Sequence, residues 1–93
     1  MADGYSVEFL PSAERELAKL GPAVQRRLGT SIDRLADEPK PRGAKLLVGS
    51  AGEHVWRIRV GEYRVLYQIA DDRLVVLIIR VGHRREIYRR RRQ

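Results

Sequence analysis

The chain contains no cysteine, so it can hold neither a disulfide framework nor a cysteine-ligated zinc. Its two histidines, His54 and His83, stand far apart and show no metal-ligand spacing. The N-terminus lacks the charged and apolar regions of a secretory signal, and the longest apolar stretch, Leu74–Ile79, is much too short to span a bilayer. The expectation is therefore a cytoplasmic protein that engages no membrane. Also missing are a glycine-rich phosphate loop, a pair of carboxylates placed for acid–base work and a nucleophilic triad. Few carboxylates accompany the basic segments, which argues against metal-dependent nuclease chemistry. At 93 residues there is room for one small domain and one modest core.

What the chain does have is positive charge, unevenly placed. Residues 1–44 hold seven Lys/Arg and seven Asp/Glu, whereas residues 45–93 hold twelve and five. The whole excess of +7 thus lies in the second half. Such an asymmetry favours a nucleic acid or an acidic protein as partner, with salt-sensitive binding. A solvated basic surface kept for solubility is the bland alternative.

Within that half, His54–Tyr67 (HVWRIRVGEYRVLY) carries the pattern of one β-hairpin. Two runs of β-formers flank Gly61-Glu62, and glycine followed by a polar residue suits a two-residue type II′ turn. This turn sets Arg59 opposite Arg64 and Arg57 opposite Leu66. Alternation of side chains then gathers Arg57, Arg59 and Arg64 on one face. Directly opposed like charges cost a sheet up to roughly 1 kcal/mol, and a polyanion is the simplest reason to accept that cost.

Elsewhere, Tyr5–Leu10 alternates as a strand. Pro11 and Ser12 mark a helix start with Ser12 as N-cap; Ala13, Leu17 and Leu20 follow at helical spacing, and Gly21 ends the element. Pro22 opens a second helix with Val24, Leu28, Ile32 and Leu35 as its apolar stripe. Residues 37–43 (DEPKPRG) read as a loop, Lys45–Val48 as a short strand and Gly49–Glu53 as a turn. Beyond the hairpin, Asp71-Asp72 turns the chain into Leu74–Val81, apolar on both faces and so a central strand, which Gly82 breaks. The tail HRREIYRRRRQ reads as half a strand plus a frayed or helical end, between which the pattern does not decide. The expected architecture is α+β, β-α-α-β-β-β: a two-helix hairpin on a mostly antiparallel four-stranded sheet, in a single domain over residues 1–93. Trp56, Ile58, Val60, Val65 and Tyr67 supply the sheet side of the core, leaving the arginines facing away from it.

Guanidinium groups bind phosphate oxygens through a planar fork, and several converging ones stabilise a developing dianion. Arginine cannot move protons, since its pKa exceeds about 12. Catalysis on this face needs a titratable partner, and the sequence offers His83 and Tyr88. Phenol ionises near pH 10, but surrounding cations lower that value. Histidine starts near neutrality. The simplest role for Arg89–Arg92 is an electrostatic arm on a phosphate backbone.

The ordered run of Tyr5-x-Val7, paired helices ending near Leu35, Pro39-x-Pro41, Lys45-Leu46, then WRIRVGEYRVLYQI, VVLIIRVGHR and EIYR resembles the RelE branch of the RelE/ParE toxin superfamily over nearly the whole chain. The resemblance implies a RelE-like fold and a toxin of a type II toxin–antitoxin module. It further implies an endoribonuclease (mRNA interferase) that needs no metal or other cofactor and cuts messenger RNA on the ribosome, the RNA 2′-hydroxyl attacking the scissile phosphate. By the same resemblance Arg57, Arg64 and Arg84 stabilise the phosphate and transition state, Tyr88 transfers a proton, and Arg59 orients the substrate. Arg89 and Arg90 of the basic tail add contacts to RNA. Two departures from the family pattern bear on the proton: arginines replace lysines at Arg57 and Arg59, and only Arg85-Glu86-Ile87 separates Arg84 from Tyr88. Some relatives use a histidine near His83, which makes it a second catalytic candidate. The implied partners are a cognate antitoxin encoded by the adjacent gene, the ribosome and mRNA. A ParE-like toxin that inhibits DNA gyrase by binding, and a non-catalytic nucleic-acid module, are the competing classes.

Overall fold

The computed structural model describes residues 4–48 and 54–87. The expected turn at Gly49–Glu53, Tyr88 and the arginines from Arg89 onward lie outside the described residues. Strand β1 (Ser6–Phe9) leads into helices α1 (Pro11–Ala18) and α2 (Pro22–Arg34). The strands β2 (Lys45–Val48), β3 (His54–Val60), β4 (Tyr63–Ala70) and β5 (Val75–His83) follow. The sheet has five strands in the order β1-β5-β4-β3-β2, not the four expected. The short Lys45–Val48 segment pairs in full with β3, so it is an edge strand in its own right. The sheet is also mixed. β1 runs parallel to β5 while the remaining pairs are antiparallel, which puts β5 between two neighbours as its doubly apolar sequence requires.

Both helices start on a proline at the first helical position, where a missing N–H costs nothing. Leu10, not Ser12, is the N-cap of α1, and neither helix has a side-chain cap. Gly21 serves as the N-cap of α2 rather than the stop of α1. The last carbonyl groups of α1 accept the Lys19 and Leu20 N–H groups, and Gln25 Nε2 adds bonds to Leu20 O at 2.7 Å and Ala18 O at 3.3 Å.

The core lies between the helices and one sheet face. Ala13, Leu28, Ile32 and Leu35 pack with Ile58, Val65, Tyr67, Val76, Ile78 and Val81, and Trp56 and Val60 border them. Lys40 Nζ sits 5.3 Å from the centre of the Trp56 ring. The inward residues Ile78 and Val81 break period-two alternation because Ile79 is an extra residue: Leu66 pairs with Arg80, and Tyr67 with Ile78. Val81 N–H at this bulge donates to Glu16 Oε1 at 2.8 Å, so α1 fastens the irregularity. β5 continues through Gly82 to His83 and starts at Val75, because Leu74 belongs to the turn with a left-handed φ of 54°.

Tyr67 ties the Asp37–Gly43 loop to the core. Its ring is fully buried, its hydroxyl donates to Pro39 O at 2.6 Å, and burial pushes its pKa up to about 12. Phenolate is thus suppressed in the folded state relative to the unfolded chain, where it forms near pH 10. The stabilisation is complete below about pH 10 and is lost as pH rises towards about 12. A rise of this size is worth at most roughly 3 kcal/mol. Urea unfolding followed between pH 9 and 12 is expected to show this decline, and Tyr67→Phe is expected to remove the part due to this group.

Candidate active site on the arginine face

The hairpin turn is the expected one. Gly61 has φ of 61°, Glu62 is not left-handed, and the register pairs Arg59 with Arg64 and Arg57 with Leu66. Arg57, Arg59 and Arg64 therefore share the face turned away from the helices. Gly82 of β5 pairs with Arg64 on the other side and contributes no side chain of its own there. Ile87 folds over this glycine: a Cβ at Gly82 would meet Ile87 Cδ1 at 3.3 Å.

Each arginine is held differently. Arg64 is half-buried, and its Nη1 donates to Gly61 O at 3.1 Å and Tyr63 O at 3.0 Å, which fixes the guanidinium against the turn. Arg59 is exposed. Arg57 is 8% exposed, and its Nε is buried without a hydrogen-bond partner. Arg84 joins the group through the turn: its backbone N–H donates to Glu62 O at 2.7 Å and its Nε to Glu62 Oε1 at 2.5 Å. Sequence reasoning treated Glu62 only as a turn residue. Its place in the turn beside three cations was the available signal, but nothing in the pattern fixed where the residues after Gly82 would run.

The Arg84 hydrogen bond, and then its charge, hold the Glu62 carboxyl below the usual carboxylate range; slight burial opposes them. The pairing is present above that range and is lost as pH falls through the depressed value. Carboxyl-detected NMR is expected to show Glu62 titrating low in the wild type and returning towards its ordinary value in Arg84→Gln. An unchanged titration would mean that the pair does not persist in solution.

His83 lies on the helix side of β5, next to Arg84 and within charge reach of Glu62. It pairs with Tyr63, which faces the helices, and the two rings meet edge-on with centroids 5.5 Å apart. Its Nδ1 accepts the Arg85 N–H at 3.1 Å. A second tether shapes the end of the described chain. Arg80 Nη1 donates to Ile87 O at 3.0 Å and Arg80 Nη2 to Glu16 Oε2 at 3.2 Å, while Ile87 itself is buried. Among the described residues, no three His, Asp or Glu side chains are grouped to hold a metal ion, and no helix is long and apolar enough to cross a membrane.

The fold defines a class, the small α+β proteins in which two helices cover one face of a mixed sheet, here with an arginine-bearing hairpin. The sequence profile described as "ParE toxin of type II toxin-antitoxin system, parDE" matches residues 7–88. The chain is 39% identical over 87 residues to Toxin RelG of Mycobacterium tuberculosis, covering 92% of this chain and 98% of that protein. It is 31% identical over 86 residues to the mRNA interferase toxin RelE of Escherichia coli K12, covering 90% of each. Among solved structures, the toxin–antitoxin complex RelBE2 of M. tuberculosis matches with a TM-score of 0.76 and 34% identity, over 86% of this chain and 98% of that one. The archaeal RelE–RelB complex of Pyrococcus horikoshii also gives 0.76, at 30% identity over 89% and 98%. The chain belongs to the ParE toxin family of type II toxin–antitoxin systems, and within the RelE/ParE superfamily it is a RelE-type toxin.

Proposed function

We propose that this toxin is a metal-independent endoribonuclease that cuts messenger RNA in the ribosome and is held inactive by a cognate antitoxin encoded beside it. The observation that carries this reading is the arginine set on the face opposite the helices, with Arg84 fastened to the same hairpin turn by Glu62. The RelE relative named as an mRNA interferase, and the solved toxin–antitoxin complexes, support the activity and the partner. Arg57, Arg64 and Arg84 neutralise the scissile phosphate as charge builds on its equatorial oxygens, with Arg59 orienting the strand. The RNA 2′-hydroxyl attacks the adjacent phosphorus, the P–O5′ bond breaks, and a 2′,3′-cyclic phosphate and a 5′-hydroxyl remain. Tyr88, as phenolate, takes the 2′-hydroxyl proton, and the departing O5′ takes a proton from solvent water to become the 5′-hydroxyl; His83 is the alternative base. Arg89 and Arg90 add backbone contacts, and the reaction takes place in the cytoplasm, on ribosomes.

Primer-extension mapping after induction tests this proposal. Cuts at discrete positions within translated messages are expected, and RNA left intact while gyrase supercoiling is inhibited would establish the ParE-like class instead.

A further inference from the structure

A second cationic feature lies around the edge of the sheet from the arginine face. β2 ends its pairing at Lys45 opposite Arg57, so the outer edge of β3 beyond that point is not covered by β2. There a pocket of about 350 Å³ opens between α2 and the Pro41–Gly43 loop, with Ser31, Arg34, Arg42, Arg57 and Arg59 among its lining residues. Four guanidinium side chains thus border one small concavity. Among the described residues the ion pairs are Arg80–Glu16 and Arg84–Glu62, so no described carboxylate neutralises these four.

Arg57, a lining residue of this pocket, is more than nine-tenths buried, and its enclosed Nε has no hydrogen-bond partner. A buried donor left unpaired costs about 1–3 kcal/mol, and native structures keep few of them. An oxyanion in the pocket meets the forked donors of several lining arginines at once. Arg57 and Arg59 belong both to this pocket and to the hairpin face beside Arg64, so a strand held at one continues naturally into the other.

We infer that the pocket between α2, the Pro41–Gly43 loop and the β3 edge is a second phosphate subsite, in which Arg34 and Arg42 join Arg57 to hold a backbone phosphate of the RNA strand flanking the scissile one. The inference rests on the nuclease reading for the identity of the strand. An acidic antitoxin segment is the other polyanion that fits the charge, but the continuity with the Arg64 face favours the strand that must cross it. Arg34 and Arg42 are exposed, so their removal spares the core.

Two measurements on the full chain test the subsite. Titration of ¹⁵N-labelled toxin with adenosine 5′-monophosphate is expected to shift the amides of Ser31, Gly43 and Arg59, and to lose those shifts in the Arg34→Gln/Arg42→Gln double variant. Binding of an oligoribonucleotide blocked by 2′-O-methylation is then followed by anisotropy against salt. The slope of log K against log salt is expected to fall by about 0.7 in the double variant, the value for one phosphate contact on a single strand. Arg15→Gln, on α1, is expected to leave the slope unchanged. Equal slopes in wild type and double variant, or shifts confined to other surfaces, would overturn the subsite, as would an acidic antitoxin peptide that fills the pocket while RNA does not. RNA binding here with no cleavage on ribosomes would remove the nuclease reading and leave the subsite standing.

Discussion

Replacing Arg64 by alanine is expected to slow ribosomal mRNA cleavage by on the order of 10²–10³, the loss that follows removal of one preorganised donor from a site of developing negative charge. Of the hairpin arginines, Arg64 has the best-defined anchorage. Two turn carbonyl groups hold its Nη1, and its cross-strand neighbours are Arg59 on one side and Gly82 on the other. A guanidinium fixed this way reorganises little when charge develops. Lysine keeps the charge but loses the planar fork, so Arg64→Lys is expected to recover only a small part of the rate. Single-turnover cleavage on programmed ribosomes checks this, with a thermal melt to show that the fold survives. A rate within a few-fold of wild type would remove Arg64 from the phosphate site.

The residues that made this site legible in the sequence are few and local. Gly61-Glu62 sets the turn, the turn sets the register, and period-two alternation then distributes the arginines without further information. Features that depend on distant segments were not legible in that way. The extra residue Ile79 hides in a run that is apolar at every position, so nothing distinguishes a bulge from a regular strand there. That bulge shifts the alternation by one. Together with the continuation of β5 through Gly82, it puts His83 on the helix face beside Tyr63 and Gly82 on the arginine face. The parallel pairing of β1 with β5 and the approach of Arg34 and Arg42 to the β3 edge are tertiary facts of the same kind. Lys45–Val48 was visible as a strand, but its place at the sheet edge, which makes the sheet five-stranded, came only from pairing.

Tyr88→Phe is expected to slow cleavage by about 10²–10⁴, the span of a general acid–base group, whereas His83→Gln is expected to cost less than about ten-fold. A guanidinium does not serve as a base in water, so in the proposed reaction the 2′-hydroxyl proton passes to another group. His83 is poorly placed for it: its ring packs on Tyr63 on the helix side and its Nδ1 is occupied by the Arg85 amide. Tyr88 follows Ile87, whose side chain is buried over Gly82 and whose carbonyl is held by Arg80, itself braced by Glu16. Those contacts fix where the described chain ends, and cations gathered around a phenol in general favour its phenolate. The two variants separate the roles by rank and by pH dependence. If Tyr88 is the base, its loss abolishes the rise in rate with pH, while His83→Gln keeps it. The reverse ranking would move proton transfer to His83 and require its ring to leave Tyr63 when RNA binds.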